Sequence, residues 1–201
     1  TIIKGALIGE ALLALRSWYF ERDKAANLAR IGQRNEVGAR SEAWLRDVLF
    51  VISRRFDPSG RDRALVTMAK AHCPIDLWKP ILLWHITRDE FLLRDFLAHG
   101  LFRLYESGAV RVATEDVVRY LATIGQRGGT VEHVWSAATT NRVAAGLLKM
   151  AVDFGLLKGS VAKEFTSYHL PEPSFLYLLH AMHEASPNPG KLIASPDWRM
   201  Y

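Results

Sequence analysis

The side chains of this sequence that are best suited to chemistry are cations at helical spacing. Arg30 and Arg34 are one helical turn apart and would share a face, and Glu36 is the one acid between residues 24 and 40. Such a strip can bind phosphate groups, or it can pair with acids of a neighbouring helix or of a second subunit. The sequence leaves both interpretations open. The nucleic-acid-binding candidates in this part of the chain are Lys24, Arg30, Arg34 and Arg40.

A second set of candidates belongs to the last third of the chain. Asn141 and Arg142 begin a long predicted helix, where exposed backbone N–H groups favour anions and side chains can reach base edges. The alternative is that Thr139 or Thr140 caps this helix and that Arg142 is an ordinary surface cation. The nucleic-acid-binding candidates here are Asn141, Arg142, Lys149, Lys158 and Lys163.

The overall charge is moderately positive and unevenly distributed. Lys and Arg outnumber Asp and Glu by 26 to 21, which gives a net charge of +5. Residues 22–63 hold ten Lys and Arg against six Asp and Glu, and residues 127–163 hold five against two. Two basic segments on a nearly neutral body can form a track for a phosphate backbone. A solvated helix surface has the same composition.

Other patterns that could carry chemistry are weak. The glycine-rich stretch 125–129 lacks the Lys-Ser/Thr ending of a phosphate loop and predicts a flexible linker. His180 and His183 have the spacing of a shared metal site, but paired histidines in an apolar helix are more often half-buried core residues. The sequence contains no nucleophile elbow, dinucleotide fingerprint or metalloprotease signature. We therefore expect a non-catalytic protein with no cofactor and no metal.

Cysteine content and hydropathy predict a cytoplasmic protein. Cys73 is the single cysteine, so no internal disulfide can form. The longest run without a charged residue, 173–183, is far shorter than the ~20 apolar residues of a membrane span. The apolar stretch 2–15 is interrupted by Lys4 and Glu10, which is typical of an amphipathic helix rather than a signal peptide. We expect no membrane contact.

Helical periodicity dominates the first half of the chain. Apolar residues repeat at spacings of three and four over residues 44–52, and Ser41 is placed to cap that helix. Residues 87–90, Thr-Arg-Asp-Glu, have the sequence of a capping box that would open a helix burying Phe91. We predict a mainly α protein with a helical bundle over residues 1–108.

The last third has a different pattern. A short β-like stretch at 110–112, two helices and two further β-compatible stretches, 156–157 and 165–170, follow one another. This is the order of a winged helix, in which the second helix enters the major groove and the hairpin touches the adjacent backbone. Many small α+β modules share the order and use it for protein contacts. We predict a winged-helix-like region over residues 109–201, packed on the bundle and ending in an irregular tail.

Three stretches of sequence carry a family resemblance. The first is NEVGARS at 35–41 with the helix after it, the most specific is WHITRDEFLLRDF at 84–96, and the third is 136–157, which ends in DFGLL. In this order and at this spacing they resemble the BrxA family, small proteins of bacteriophage exclusion (BREX) systems. The resemblance covers nearly the whole chain and depends on no single motif.

The resemblance implies a cytoplasmic accessory protein of phage defence that binds DNA, with a helical fold partly like that of the antitermination factor NusB. It supplies no motif of binding residues, so the site residues remain those chosen from charge and spacing. Our leading hypothesis is binding of double-stranded DNA with little sequence preference, because few base-reading side chains are identifiable. RNA is a weaker candidate by analogy with NusB. The alternative is an adaptor that contacts other BREX proteins, and a homo-oligomer is compatible with either.

Overall fold

The structure, a computed structural model, describes residues 5–124 and 135–201. These residues are mainly helical and include one small antiparallel sheet, which confirms the predicted fold class at this level. They form two compact units. The helical unit comprises Ala6–Asp89 and Pro171–Ala181, and the sheet unit comprises Glu90–Leu170 and Met182–Tyr201 together with Gly5. The predicted domain boundary after residue 108 stays a prediction, because compactness does not show which segment folds independently.

The helical unit is built from amphipathic helices with polar caps. Asp23 accepts a hydrogen bond from the Ala26 N–H at 2.7 Å, and Ser41 accepts one from the Trp44 N–H at 3.2 Å, as predicted for Ser41. In the core, α1 packs on α4 and α2 packs on α3. The helices are α1 (Ile8–Arg16), α2 (Lys24–Gln33), α3 (Glu42–Arg55), α4 (Arg63–Lys70), α5 (Ile75–Thr87) and the first part of α10 (Glu172–Ala185).

The helix α5 is the most deeply buried element of this unit. All of residues 80–87 are buried, as expected of a helix that is apolar on every side. The predicted capping box at its end is wrong. Thr87 is still helical, and its hydroxyl donates to the Trp84 carbonyl at 2.8 Å. The next helix begins at Phe91 without a side-chain cap, and Phe91 itself is exposed rather than buried.

The sheet unit begins with a continuous helical run. This run consists of α6 (Phe91–Asp95), a π-helical segment (Phe96–Leu101) and α7 (Phe102–Glu106). Within the π-helical segment, a Cβ at Gly100 would lie 3.0 Å from atoms of the Tyr120 ring. Glycine therefore permits this close approach, and the Tyr120 hydroxyl donates to the Asp95 backbone carbonyl at 2.7 Å.

The sheet lies beside two helices of the same unit. Its strands β1 (Arg111–Val112), β2 (Leu157–Lys158) and β3 (Lys163–Phe165) are antiparallel in the order β1-β3-β2. A hairpin after the long helix is therefore confirmed, but its second strand ends at Phe165, and the predicted strand over 165–170 is wrong beyond that residue. The helices α8 (Thr114–Leu121) and α9 (Ala137–Asp153) pack on each other. The buried face of α9 consists of Ala144, Leu147, Leu148, Met150 and Ala151.

The C-terminal tail is ordered, in contrast to the irregular tail that its composition predicts. It forms α11 (Pro189–Ile193) and a 3₁₀ helix (Pro196–Met200). Asn188 and Ser195 cap these two helices, and the Trp198 indole N–H donates to the Leu192 carbonyl at 2.8 Å. Contacts of the tail with the π-helical segment hold it in place. In the part of the chain that the structure describes, no helix has the length and apolar character needed to cross a membrane.

Candidate nucleic-acid interface

The helix α9 presents an exposed, cationic face. Ser136 caps it by accepting from the Thr139 N–H at 3.2 Å, so neither predicted threonine is the cap. Asn141 and Arg142 are exposed in the first turns. Lys149 follows Arg142 by seven residues and lies on the same face. Among the described residues, Arg142 has no ion-pair partner.

The β2–β3 hairpin adds two further cations beside this helix. Lys158 is exposed, and Lys163 is half-buried with its ammonium group donating to the Ser160 carbonyl. A groove of about 410 Å³ runs between α9 and the hairpin, and Lys149 and Lys163 both line it. The fold therefore brings together two candidate residues that are 14 positions apart in the sequence.

An acid also lies in this groove. Lys149 is bound to both carboxylate oxygens of Asp153 at 3.0 Å, and its side chain is 66% exposed. An exposed pair of this kind contributes about 1 kcal/mol or less. Lys149 can therefore exchange Asp153 for a phosphate at small cost, whereas Arg142 and Lys158 form no ion pair with any residue that the structure describes.

The candidates of the helical unit have unequal access to a ligand. Arg34 and Arg40 are exposed, and Lys24 is half-buried with its ammonium group donating to the Phe56 carbonyl at 2.7 Å. Arg30 is 7% exposed, pairs with Glu36 at 2.6 Å and donates to the Ser17 carbonyl. Its guanidinium is occupied inside the fold, so the prediction of an exposed Arg30–Arg34 strip is corrected. Its acidic partner, Glu36, lies just after α2 itself rather than on the neighbouring helix that the alternative interpretation proposes.

A cluster of cations around aromatic rings was not predicted. Tyr19 is 43% exposed, and its ring centroid lies 5.6 Å from Arg22 Cζ and 5.5 Å from Lys70 Nζ. Arg63 Cζ lies 4.1 Å from the centroid of Phe20. We call these five residues the Tyr19 cluster. The packing of α1 on α4 creates it, and its sequence signal is the aromatic stretch 18–20 just before Arg22.

The comparison with protein families identifies the chain. The family model of BrxA matches residues 2–181 of the 201-residue sequence. The chain belongs to the BrxA family. This confirms the resemblance carried by 35–41, 84–96 and 136–157, and it makes the chain a protein of BREX phage defence. A comparison with curated proteins found no match.

The BrxA match includes every candidate residue and the whole Tyr19 cluster. It ends at residue 181, inside α10. The tail with α11 and the 3₁₀ helix therefore lies beyond the matched range.

A buried polar network lies in the helical unit of this BrxA protein. His85 Nδ1 is 2.6 Å from Asp62 Oδ1, and His85 Nε2 is 2.9 Å from the Tyr177 hydroxyl. Asp62 also accepts from the Asp57 N–H at 2.7 Å. Burial opposes ionisation of Asp62, but the hydrogen bonds from His85 and Asp57 keep its pKa below the usual value. Asp62 and His85 are 0% and 1% exposed, which suits a structural role.

The two remaining sequence motifs do not add to the interface. His180 and His183 are both exposed rather than half-buried, so that prediction is wrong. Within 5–124 and 135–201, no group of three His, Cys, Asp or Glu residues is arranged to hold a metal ion. The glycine-rich stretch 125–129 lies outside the described residues.

Proposed function

We propose that this BrxA protein is a non-catalytic, cytoplasmic accessory protein of BREX defence that binds double-stranded DNA. The observation that carries the proposal is the groove that is lined by both Lys149 of α9 and Lys163 of the hairpin. The exposed side chains of Asn141, Arg142 and Lys158 extend this cationic surface. Lys and Arg side chains on such a surface can neutralise the phosphates of a DNA backbone.

We further propose that the sheet unit is a winged helix. The order β1-α8-α9-β2-β3, with the hairpin directly after the long helix, supports this assignment. In a winged helix, the N-terminal half of α9 would enter the major groove and the hairpin would contact the neighbouring backbone. Asn141 would be the main base reader. Sequence preference would be weak, since the other contacts involve phosphates.

The helical unit provides a second contact in this proposal. Arg34 and Arg40 are exposed, and the Tyr19 cluster combines cations with an exposed aromatic ring. Cations beside an aromatic ring bind both phosphates and unpaired bases. A NusB-like fold of this unit would also allow RNA. Competition between RNA and DNA duplexes of the same sequence distinguishes the two nucleic acids.

The test is a salt series on a labelled random-sequence DNA duplex. The variant R142Q/K158Q removes two cations of the proposed interface, and the control R103Q/K191Q removes two exposed cations elsewhere in the sheet unit. Each lost phosphate contact lowers the slope of log affinity against log salt by about 0.9. We expect R142Q/K158Q to lower the slope by about 1.8 and the control to leave it nearly unchanged. Equal effects of the two variants, or no binding of the unmodified protein at low salt, would contradict the proposal.

A second candidate is an adaptor that contacts other BREX proteins. It is favoured by apolar side chains that the sheet unit leaves in solvent, since Val161 is 96% exposed and Ile193 is 80% exposed. Single exposed apolar residues are common on protein surfaces, so this observation is weaker than the cationic groove. Retention of BREX proteins at high salt by a chain without DNA affinity would favour the adaptor.

A further inference from the structure

A second cavity of the sheet unit lies away from the cationic groove. Its volume is about 330 Å³, within the ~300–1,000 Å³ that is usual for small-molecule sites. The walls come from the π-helical segment and α7 on one side, β3 and the residues after it on another, and the end of the 3₁₀ helix on the third. The DNA proposal does not use it.

Five of the twelve residues that line the cavity carry aromatic rings. The rings of Tyr105 and Phe165 lie edge to face with their centroids 5.5 Å apart, and those of Tyr168 and Tyr201 are 6.4 Å apart. Phe102 adds a fifth ring. Tyr105 is 62% exposed, so the cavity opens to solvent on that side. Aromatic walls favour a flat, apolar ring system.

Two polar side chains of the cavity wall, Arg199 and Tyr168, supply hydrogen-bond donors, whereas the Thr166 hydroxyl donates to the Gly155 carbonyl at 2.6 Å. Arg199 lies over the Phe102 ring at 5.2 Å and has no ion-pair partner among the described residues. The Tyr168 hydroxyl makes no hydrogen bond to another described residue. Burial raises the pKa of Tyr168 to about 12, so this hydroxyl keeps its proton. No carboxylate side chain is among the described residues that line the cavity.

Two further features set this cavity apart. One wall is a π-helical segment, a form of helix that is rare and concentrated at functional sites. Another wall, formed by Arg199 and the residues next to it, lies beyond the part of the chain that the BrxA family model matches. The cation of the cavity therefore belongs to the tail that composition had predicted to be irregular.

We propose that this cavity binds a small amphipathic anion, a flat apolar ring system that carries one carboxylate or phosphate group. The ring system would lie among the aromatic walls. The anionic group would bind the Arg199 guanidinium, with the Tyr168 hydroxyl as a second donor. This site is independent of DNA binding.

The test is calorimetric titration of the full chain, without DNA, with three probes that share one ring system. They are 1-naphthyl phosphate, 1-naphthylacetate and the neutral 1-naphthalenemethanol. We expect both anions to bind at least tenfold more tightly than the neutral probe, and the stronger of the two identifies the preferred anionic group. R199Q should weaken the anions about tenfold and leave the neutral probe unaffected. The control K191Q, which removes an exposed cation of the same tail, should change nothing.

A blocking variant separates loss of the site from loss of the fold. Ser167 lines the cavity and is exposed, so S167W would fill the opening without disturbing the core. We expect S167W to abolish binding of all three probes while the unfolding temperature is retained. The proposal is overturned if neither anion binds, if the neutral probe binds as well as the anions, or if R199Q behaves like K191Q.

Discussion

The cationic side chains of this protein differ in the ion pairs and hydrogen bonds that they form within the fold. Arg30 is buried against Glu36 and the Ser17 carbonyl, whereas Arg34, four residues later, is exposed. A phosphate could reach Arg30 only after those contacts had broken, and breaking a buried ion pair leaves an uncompensated charge. Charge and spacing alone could not separate these two residues, because the difference depends on which side of α2 meets the loop before it.

The first prediction concerns this pair of arginines. We expect R30M to lower the free energy of unfolding by about 3 kcal/mol, since it leaves Glu36 half-buried without its partner. R34Q should leave stability unchanged, weaken DNA binding several-fold and lower the salt slope by about 0.9. Urea unfolding and the DNA salt series measure the two effects. If R30M lowered the slope and R34Q did not, the assignment of Arg30 to the fold would be wrong.

The second prediction concerns Asp62, which is fully buried between His85 and the Asp57 N–H. We expect D62N to lower the free energy of unfolding by about 3 kcal/mol, because it removes one partner of a buried charged network. D76N, at an exposed aspartate in the first turn of α5, is the matched control and should cost far less. Urea unfolding at neutral pH compares the two variants, and similar losses would exclude a stabilising role for the network.

The same variant has a pH signature. The folded-state pKa of Asp62 lies below its unfolded value of 3.8, so its stabilising contribution is fully present above the unfolded pKa. The contribution is lost as the pH falls through the folded pKa. The difference in unfolding free energy between the unmodified protein and D62N should therefore shrink as the pH falls below about 4. A difference that continues to grow in that acidic range would show that Asp62 is neutral in the folded protein.

At the scale of elements, the sequence correctly predicts features that depend only on residues close together in the chain. The cap at Ser41 is predictable because it depends only on a hydrogen bond within the first turn of α3, from the Trp44 N–H to the Ser41 hydroxyl. The prediction of a capping box at Thr87 is wrong because α5, which is buried, continues through Thr87. The Thr87 hydroxyl donates to the Trp84 carbonyl instead. The order of α9 and the hairpin followed from periodicity. The tail was missed because its order depends on contacts with the π-helical segment, about 100 residues away in the sequence.

The third prediction concerns the hairpin. Gly159 has a φ of +101°, and a Cβ there would lie 2.3 Å from the Ala162 carbonyl oxygen. G159A should therefore distort the turn that connects Lys158 to Lys163, and it should weaken DNA binding while the helices stay folded. The control G9A is in α1, where an added Cβ meets nothing within 4 Å, and it should stabilise the protein by about 0.5–1 kcal/mol. Circular dichroism measures whether the helices stay folded, and the DNA titration measures the affinity. An unchanged affinity of G159A would show that the hairpin is not part of the interface.

At the scale of the whole molecule, the net charge of +5 is modest, but each of the two units has a basic surface. The sheet unit has the groove with Lys149 and Lys163, and the helical unit has the Tyr19 cluster. The count of Lys and Arg along the sequence predicted both basic segments. It could not predict the Tyr19 cluster, because Arg22 and Lys70 meet Tyr19 from segments nearly 50 residues apart.

The last prediction asks whether both surfaces hold the same duplex. R142Q/K158Q acts on the sheet unit, and R63Q/K70Q acts on the helical unit. Contacts with one ligand that act independently of each other contribute additively to the binding free energy. The fourfold variant should therefore multiply the two losses of affinity and lower the salt slope by about 3.6, twice the effect of either pair. Thermal unfolding of each variant checks that loss of the Lys70 bond to the Trp18 carbonyl does not unfold the helical unit. If R63Q/K70Q left both affinity and slope unchanged, the Tyr19 cluster would not contact DNA and would be available to another partner.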